Sequence, residues 1–146
     1  MHKYYNIYYF IDEFNIKELL NINIRINLIY RNYKSSNCLN DIINIRKFCK
    51  KKKFKFFLEN NIKIAKMLDL DGVYLPSFNK NLKYSNLNLK NGFKIIGSAH
   101  NINEIKIKEK QNCEYIFCKL FKFIPPKQTI FLLVTLDIKL NLITSR

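Results

Sequence analysis

The sequence predicts an α/β protein in which strands and helices alternate along a single domain. Short segments rich in aromatic and β-branched residues recur at fairly even spacing, and amphipathic segments with polar capping residues lie between them. The chain has 146 residues and is 48% hydrophobic, which is enough for one core. Such an alternation favours parallel strands joined by right-handed crossovers, either as a barrel or as an open doubly wound sheet.

Six strands are predicted from apolar and aromatic runs: Lys3–Ile11, Ile22–Arg31, Phe54–Leu58, Asp71–Leu75, Phe93–Ser98 and Cys113–Phe121. Each is bounded by polar or turn-forming residues, such as the Asp-Gly pair that opens the fourth. A further strand is predicted in "TIFLLVTL" near the end of the chain.

Helices are predicted between the strands, over Asp12–Leu20, Ser35–Lys53, Asn60–Leu70 and Asn101–Gln111. In the second helix Leu39, Ile42, Ile43 and Phe48 approach the spacing of an amphipathic stripe, with Ile45 off that face. In the fourth, Glu104 precedes Lys108 by four residues, which is the spacing of a helical ion pair.

The net charge of +15 has a compositional explanation as well as a functional one. The chain is rich in residues with A- and T-rich codons, and its compact basic run, Lys50–Lys53, lies where cations complement a helix C-terminus. We therefore favour the structural interpretation, and a basic nucleic-acid-binding protein is the least favoured of the alternatives.

Apolar runs such as Ile130–Val134 fall short of the roughly 20 residues of a membrane span, and the N-terminus lacks a secretory pattern. We expect a cytoplasmic protein without membrane contact. The four cysteines, Cys38, Cys49, Cys113 and Cys118, have no zinc-type spacing and are predicted to be reduced, mostly buried thiols.

Candidate functional residues follow the strands, because chemistry collects at the carboxyl ends of parallel strands. Arg31 and Lys34 follow the second strand and would hold a phosphate or pyrophosphate, or they are solvated loop cations. Glu59 and Asn60 follow the third strand and offer oxygen ligands to a hard cation, although Asn60 is also a candidate helix cap.

The fourth and fifth strands are followed by polar segments of the same kind. Asn79 lies just after the fourth strand, and "GSAHN" ends the fifth. In that segment Gly97 permits a close backbone approach, Ser98 and the next helix N-terminus offer donors to an anion, and His100 is a candidate proton donor. The alternative for His100 or Asn101 is a helix cap.

These motifs together resemble the thiamine phosphate synthase and TenI family. "LIYRNYK" resembles the family's QLRxK strand, "FFLENNIKIAKMLDLDGV" its LIINDxxDLAxxxxADGV, and "DGVYLPS" its DGVHLGQ strand. "KIIGSAHNINEI" and "CEYIFCKLF" resemble the IIGxSxH…EE and DYIxxGPxF segments. The resemblance covers roughly Tyr4 to Phe121.

The resemblance implies a (β/α)8 TIM barrel and a transferase that joins hydroxymethylpyrimidine pyrophosphate to thiazole phosphate, giving thiamine phosphate and pyrophosphate with Mg²⁺. It implies that the substrate phosphates lie near Arg31, Lys34, Ser98 and Lys127. It further implies His100 as a catalytic residue, and the metal ligands it implies are Glu59, Asn60 and Asn79. The implied partners are small-molecule phosphate and pyrophosphate substrates, and the sequence leaves a homo-oligomer open.

Several positions depart from the family pattern. Neutral amides at Asn60 and Asn79 stand where the family has acidic ligands, and amides are weaker Mg²⁺ ligands than carboxylates. The Gly-rich loops of the last two strands are not recognisable. We therefore expect an incomplete barrel of about six β/α units over residues 1–124. The tail over 125–146 lacks the resemblance, as it would if the reading frame were shortened or shifted. An impaired synthase and a non-catalytic phosphate-binding relative remain open alternatives.

Overall fold

A computed structural model of the chain describes residues 7–32 and 39–118. The described strands are β1 (Tyr8–Ile11), β2 (Asn27–Tyr30), β3 (Lys55–Glu59), β4 (Gly72–Leu75), β5 (Lys94–Ala99) and β6 (Tyr115–Cys118). The described helices are α1 (Ile16–Leu20), α2 (Leu39–Lys52), α3 (Ile62–Met67) and α4 (Ile102–Lys110), with a short 3₁₀ helix at Leu82–Asn86 between β4 and β5.

The six strands form one parallel sheet in the order β1-β2-β3-β4-β5-β6. The predicted alternation of parallel strands and helices is therefore confirmed. A strand order that never reverses is the order of a barrel, whereas a doubly wound sheet has a switch point where the order reverses.

The sheet is strongly curled, and ring contacts between its first and last strands establish this. The ring centroids of Tyr8 in β1 and Phe117 in β6 are 5.0 Å apart. Across a flat sheet, five strand spacings would separate these strands by roughly 24 Å. Phe10 and Phe117 repeat the contact at 6.3 Å. The described chain is thus an incomplete α/β barrel of six strands, as predicted.

Alternation along each strand divides the core into two layers. Every second residue of each strand faces the inside of the curled sheet, and these residues form a mainly aromatic cluster. Its buried members are Tyr8, Ile29, Phe57, Tyr74, Ile96 and Phe117. The intervening residues face outward and belong to a larger cluster, which includes Leu28, Phe56, Val73 and Ile95 and side chains from the helices. The inner face therefore has an aromatic floor, and polar side chains are concentrated at its carboxyl edge.

Helix α2 buries a different stripe from the predicted one. Ile45 and Ile42 are fully buried and Phe48 is buried beside them, while Leu39 is 43% exposed. The prediction that Ile45 lies off the apolar face was wrong, because a stripe that steps by three residues from Ile42 passes through Ile45 and Phe48. The predicted basic last turn is confirmed, since Lys50, Lys51 and Lys52 end the helix.

Other predictions have mixed outcomes. Cys49 and Cys113 are buried free thiols, Cys118 is a half-buried one, and Cys38 lies outside the described residues. The tail over 125–146 and its predicted strand also lie outside them. Among the described helices, none combines the length and the apolar character needed to cross a membrane.

Candidate active site

Side chains from four neighbouring strands meet at the carboxyl edge of the inner face. Glu59 is the last residue of β3, Arg31 directly follows β2, and Ser98 is the penultimate residue of β5. Tyr74 of β4 lies between them and is 3% exposed. Because inner-face residues alternate along each strand, side chains far apart in sequence converge here.

Tyr74 connects the elements of this edge. Its hydroxyl group lies 2.9 Å from Oγ of Ser98. Its ring is 5.3 Å, centroid to centroid, from the ring of Phe10. The guanidinium carbon of Arg31 lies 4.7 Å from the centroid of the same Phe10 ring, which is a cation–π distance. A cation and two hydroxyl groups thus stand above an aromatic floor.

The Tyr74 hydroxyl stays protonated in this environment. Burial raises the pKa of Tyr74, and the charge of Glu59 raises it further, while the hydrogen bond with Ser98 and the charge and hydrogen bond of Arg31 lower it. Since the net effect is a pKa above the usual value for tyrosine, Tyr74 presents an O–H donor at neutral pH. Because one of the two hydroxyl groups donates to the other, an anion would find the guanidinium of Arg31 and one O–H donor of the Tyr74–Ser98 pair within one patch.

Two of the three predicted metal residues, Asn60 and Asn79, bond to each other. The amide nitrogen Nδ2 of Asn79 donates to Oδ1 of Asn60 at 2.7 Å. Oδ1 of Asn79 in turn accepts from the backbone N–H of Asn81 at 3.0 Å. Asn60 is not a helix cap, since Asn61 caps α3 by accepting from the backbone N–H of Ile64.

This arrangement fits a magnesium site poorly. Mg²⁺ requires near-octahedral oxygen ligands and favours carboxylates. Here Glu59 is the single carboxylate among the three predicted ligands, and both amide oxygens already accept hydrogen bonds from the protein. In the described ranges, no group of three or more His, Cys, Asp or Glu side chains could hold a metal ion. Magnesium binding at these residues stays a prediction, and no chemical step is derived through it.

The loop that contains His100 is built as a helix start. Asn101 is the N-cap of α4, and its side chain accepts from the backbone N–H of Glu104 at 2.9 Å. The carboxylate of Glu104 accepts from the backbone N–H of His100 at 2.6 Å. His100 itself is exposed beyond the end of β5. Its catalytic role stays a prediction, while the capping alternative is settled in favour of Asn101.

Comparison with known proteins identifies the family. The model of a family described as thiamine monophosphate synthase matches residues 14–123, more than half of the chain. The chain belongs to the thiamine monophosphate synthase family. No curated protein matches it. Among solved structures it is similar to thiamine phosphate pyrophosphorylase from Pyrococcus furiosus, with a TM-score of 0.47 and 18% identity over 64% of this chain. The match covers 46% of that protein, so this chain spans about half its length.

Within this thiamine monophosphate synthase family member, the predicted site residues are placed unevenly. Arg31 and Ser98 converge through Tyr74, and Asn60 and Asn79 form their own pair. Lys34 and Lys127 lie outside the described residues, and the proposed phosphate contacts of both stay predictions.

Two features of the site were missed from the sequence. Tyr74 occupies the histidine position of the DGVHLGQ pattern, and strand alternation from Gly72 would have placed it on the inner face. Lys108 and Gln111 of the α4 segment are fully buried and hold the loop after β4. No pattern in the sequence indicated their burial.

Proposed function

We propose that the chain binds phosphate-bearing small molecules at the carboxyl edge of its inner face and acts as a thiamine phosphate synthase-like transferase. In this proposal it joins hydroxymethylpyrimidine pyrophosphate to thiazole phosphate and releases pyrophosphate. The observation that carries the proposal is the convergence of Arg31, Tyr74 and Ser98 at one point of the curled sheet, in a chain of this family.

The chemical role of these residues is to receive negative charge. When the bond to the pyrophosphate breaks, the leaving group takes the bonding electrons, and donors already oriented toward it stabilise that charge. Arg31 offers a planar fork of N–H groups that matches phosphate oxygens. The hydrogen-bonded pair of Ser98 and the protonated Tyr74 adds a neutral O–H donor. In this proposal His100 lies next to the same edge as a proton donor to the reacting groups.

A second candidate is a non-catalytic relative that binds a phosphate ligand. The pairing of Asn60 with Asn79 favours it, since the two amides replace the acidic residues of the family pattern and bond to each other. This candidate needs the same anion-binding edge but predicts no product.

One experiment tests both candidates. The purified chain is mixed with both substrates, with and without Mg²⁺, and thiamine phosphate is measured, while pyrophosphate binding is followed by calorimetry. Product formation that is lost in His100→Ala supports the transferase. Saturable pyrophosphate binding without product supports the binding protein.

Arg31→Ala tests the site, with Arg25→Ala as its matched control. Arg25 is an exposed arginine near the opposite end of the same strand. We expect pyrophosphate affinity to fall roughly tenfold or more in Arg31→Ala, because a charged hydrogen bond contributes about 1.5–3 kcal/mol. It should not change in Arg25→Ala. Equal affinity in both variants would contradict both candidates.

The proposal also includes a cytoplasmic location and leaves a homo-oligomer open. Cell fractionation and analytical ultracentrifugation of the intact chain test these two points separately.

A further inference from the structure

Two polar side chains of the α4 segment are buried and reach the loop that follows β4. Lys108 and Gln111 each have 0% exposure. The ammonium group Nζ of Lys108 donates to the backbone oxygen of Asn79 at 2.6 Å and to Oε1 of Gln111 at 3.0 Å. Nε2 of Gln111 donates to the backbone oxygens of Asn79 and Asn81, both at 3.0 Å. Together they fasten that loop to α4.

Each side-chain amide in this network faces a group that can only donate or only accept a hydrogen bond. That neighbour decides which end of the amide is the oxygen and which is the nitrogen. Carbonyl oxygens face Nε2 of Gln111, so its Oε1 must face the ammonium of Lys108. The backbone N–H of Asn81 faces Oδ1 of Asn79, so Nδ2 of Asn79 must face Asn60. The network therefore determines that Asn79 donates and Asn60 accepts in their hydrogen bond, and an amide flip of Asn79 would break it.

Asn60 is held equally firmly from the other side. Its φ of 56° lies in the left-handed region, which asparagine tolerates better than most residues. Its backbone N–H donates to the backbone oxygen of Tyr74 at 2.9 Å, and the hydroxyl group of Tyr84 donates to its backbone oxygen at 3.0 Å. Both partners of the amide pair are thus positioned by contacts outside the pair.

The fold makes room for the buried ammonium group. A Cβ atom at Gly97 would come within 2.8 Å of Cδ of Lys108 and 3.0 Å of Sγ of Cys113. The side chain of Lys108 therefore crosses the outer face of β5 at a glycine. Burying a cation is costly unless it is hydrogen-bonded, and carbonyl and amide oxygens supply those bonds here.

We propose that Lys108 and Gln111 are positioning residues that join the loop after β4 to the end of β3 without a divalent cation. Asn60 and Asn79 then form an amide bridge at the place where the family pattern implies acidic metal ligands. Glu59 alone supplies a carboxylate there, and the two amide oxygens, each of which already accepts a hydrogen bond from the protein, are weak ligands that complete a magnesium site poorly. This inference goes beyond the proposed function and does not depend on phosphate binding.

The decisive measurement is a calorimetric titration of the intact chain with MgCl₂, together with its melting temperature in MgCl₂ and in EDTA. We expect no saturable heat and the same melting temperature in both, because only a ligand that binds the folded state raises it. Saturable Mg²⁺ binding that is lost in both Asn79→Ala and Glu59→Gln would overturn the proposal. Binding that persists in both variants places the cation elsewhere and agrees with an amide bridge.

A designed variant tests the same idea in the opposite direction. The double variant Asn60→Asp with Asn79→Asp replaces the bridge by two facing carboxylates, which repel each other and attract a cation. We expect its melting temperature to fall in EDTA and to recover by several degrees in MgCl₂. An equal melting temperature in the two solutions would contradict the proposal. Should this variant fail to fold, the titration of the unmodified chain still decides.

Local amide exchange separates positioning from general stability. In Lys108→Met we expect faster hydrogen exchange in residues 76–86 than in the unmodified chain, with exchange in α1 and α2 unchanged. The matched control is Lys106→Met, since Lys106 lies on the same helix and is exposed. Uniformly faster exchange in Lys108→Met, or no change, would contradict a positioning role for Lys108.

Discussion

The hydroxyl groups of Tyr74 and Ser98 lie 2.9 Å apart on the inner face of the sheet. The two residues are diagonal neighbours, because Tyr74 pairs with Ile96 and Ser98 follows two residues later along β5. A tyrosine side chain is long enough to reach a diagonal neighbour on the same face of a sheet. The contact thus links adjacent strands at the edge where the proposed phosphate site lies.

A double-mutant cycle should detect this contact. Tyr74→Phe and Ser98→Ala each remove one hydroxyl group, and we expect a coupling energy of about 0.5–1.5 kcal/mol in the free energy of unfolding, as for a typical hydrogen bond. Urea denaturation of the four proteins measures it.

The control cycle combines Ser98→Ala with Tyr9→Phe. The Tyr9 hydroxyl group donates to Glu18, so it has no part in the contact with Ser98. These two changes should be additive within about 0.5 kcal/mol. A coupling energy for Tyr74 and Ser98 no larger than that of the control would mean that the hydroxyl pair does not stabilise the sheet edge.

The N-cap of α4 should account for most of the local stability of the loop that contains His100. Replacing Asn101 with alanine removes the acceptor of the Glu104 backbone N–H, and we expect a loss of about 1 kcal/mol in the free energy of unfolding. Asn103→Ala is the matched control, because Asn103 is exposed on the same helix and should change stability by less than about 0.5 kcal/mol.

The same measurement on His100→Ala separates capping from catalysis. If the exposed imidazole has no part in holding the helix start, His100→Ala should unfold at the urea concentration of the unmodified chain. A loss as large as that of Asn101→Ala would assign His100 a structural role at this loop.

The strand order and one edge of the site were predictable from the sequence for a physical reason. Parallel strands with alternating crossovers bring their carboxyl ends to one edge, so Arg31 after β2 and Ser98 in β5 had to lie on the same side of the sheet. Strand ends were less predictable. The described β2 begins at Asn27, five residues after the predicted start at Ile22, because apolar composition does not say where backbone pairing with the neighbouring strands begins.

The remaining parts of the site depend on tertiary packing that composition does not encode. Lys108 is a lysine on a basic helix, and the predicted partner for it was Glu104, four residues earlier. In the structure Glu104 accepts from His100, and Lys108 reaches the loop after β4. Its burial follows from the space above Gly97 and from the backbone oxygen of Asn79, which lies 29 residues away in the chain.

Alkaline pH should destabilise the fold through its buried thiols. Burial raises the pKa of Cys49 and Cys113 to about 12, with the charge of Asp71 adding to the effect at Cys49 and Lys108 opposing it at Cys113. An unfolded cysteine titrates near 8.5. Between these values the folded state holds more protons than the unfolded state, so the stability from each thiol is complete below about pH 8.5 and is lost as pH rises toward 12.

Comparison of slopes isolates the contribution of one thiol. We expect the free energy of unfolding to fall above about pH 8.5 by up to about 1.4 kcal/mol per pH unit for each thiol. Urea denaturation at several pH values up to about 9.5, below the usual tyrosine pKa of about 10, measures the slope. In Cys49→Ala the cavity lowers the free energy of unfolding at every pH. The decrease of that free energy with pH should, however, be less steep by the contribution of one thiol. Lys108, whose pKa burial lowers, contributes with the opposite sign in both proteins and cancels in the difference. Parallel curves for the two proteins would mean that Cys49 does not titrate differently in the folded and unfolded states.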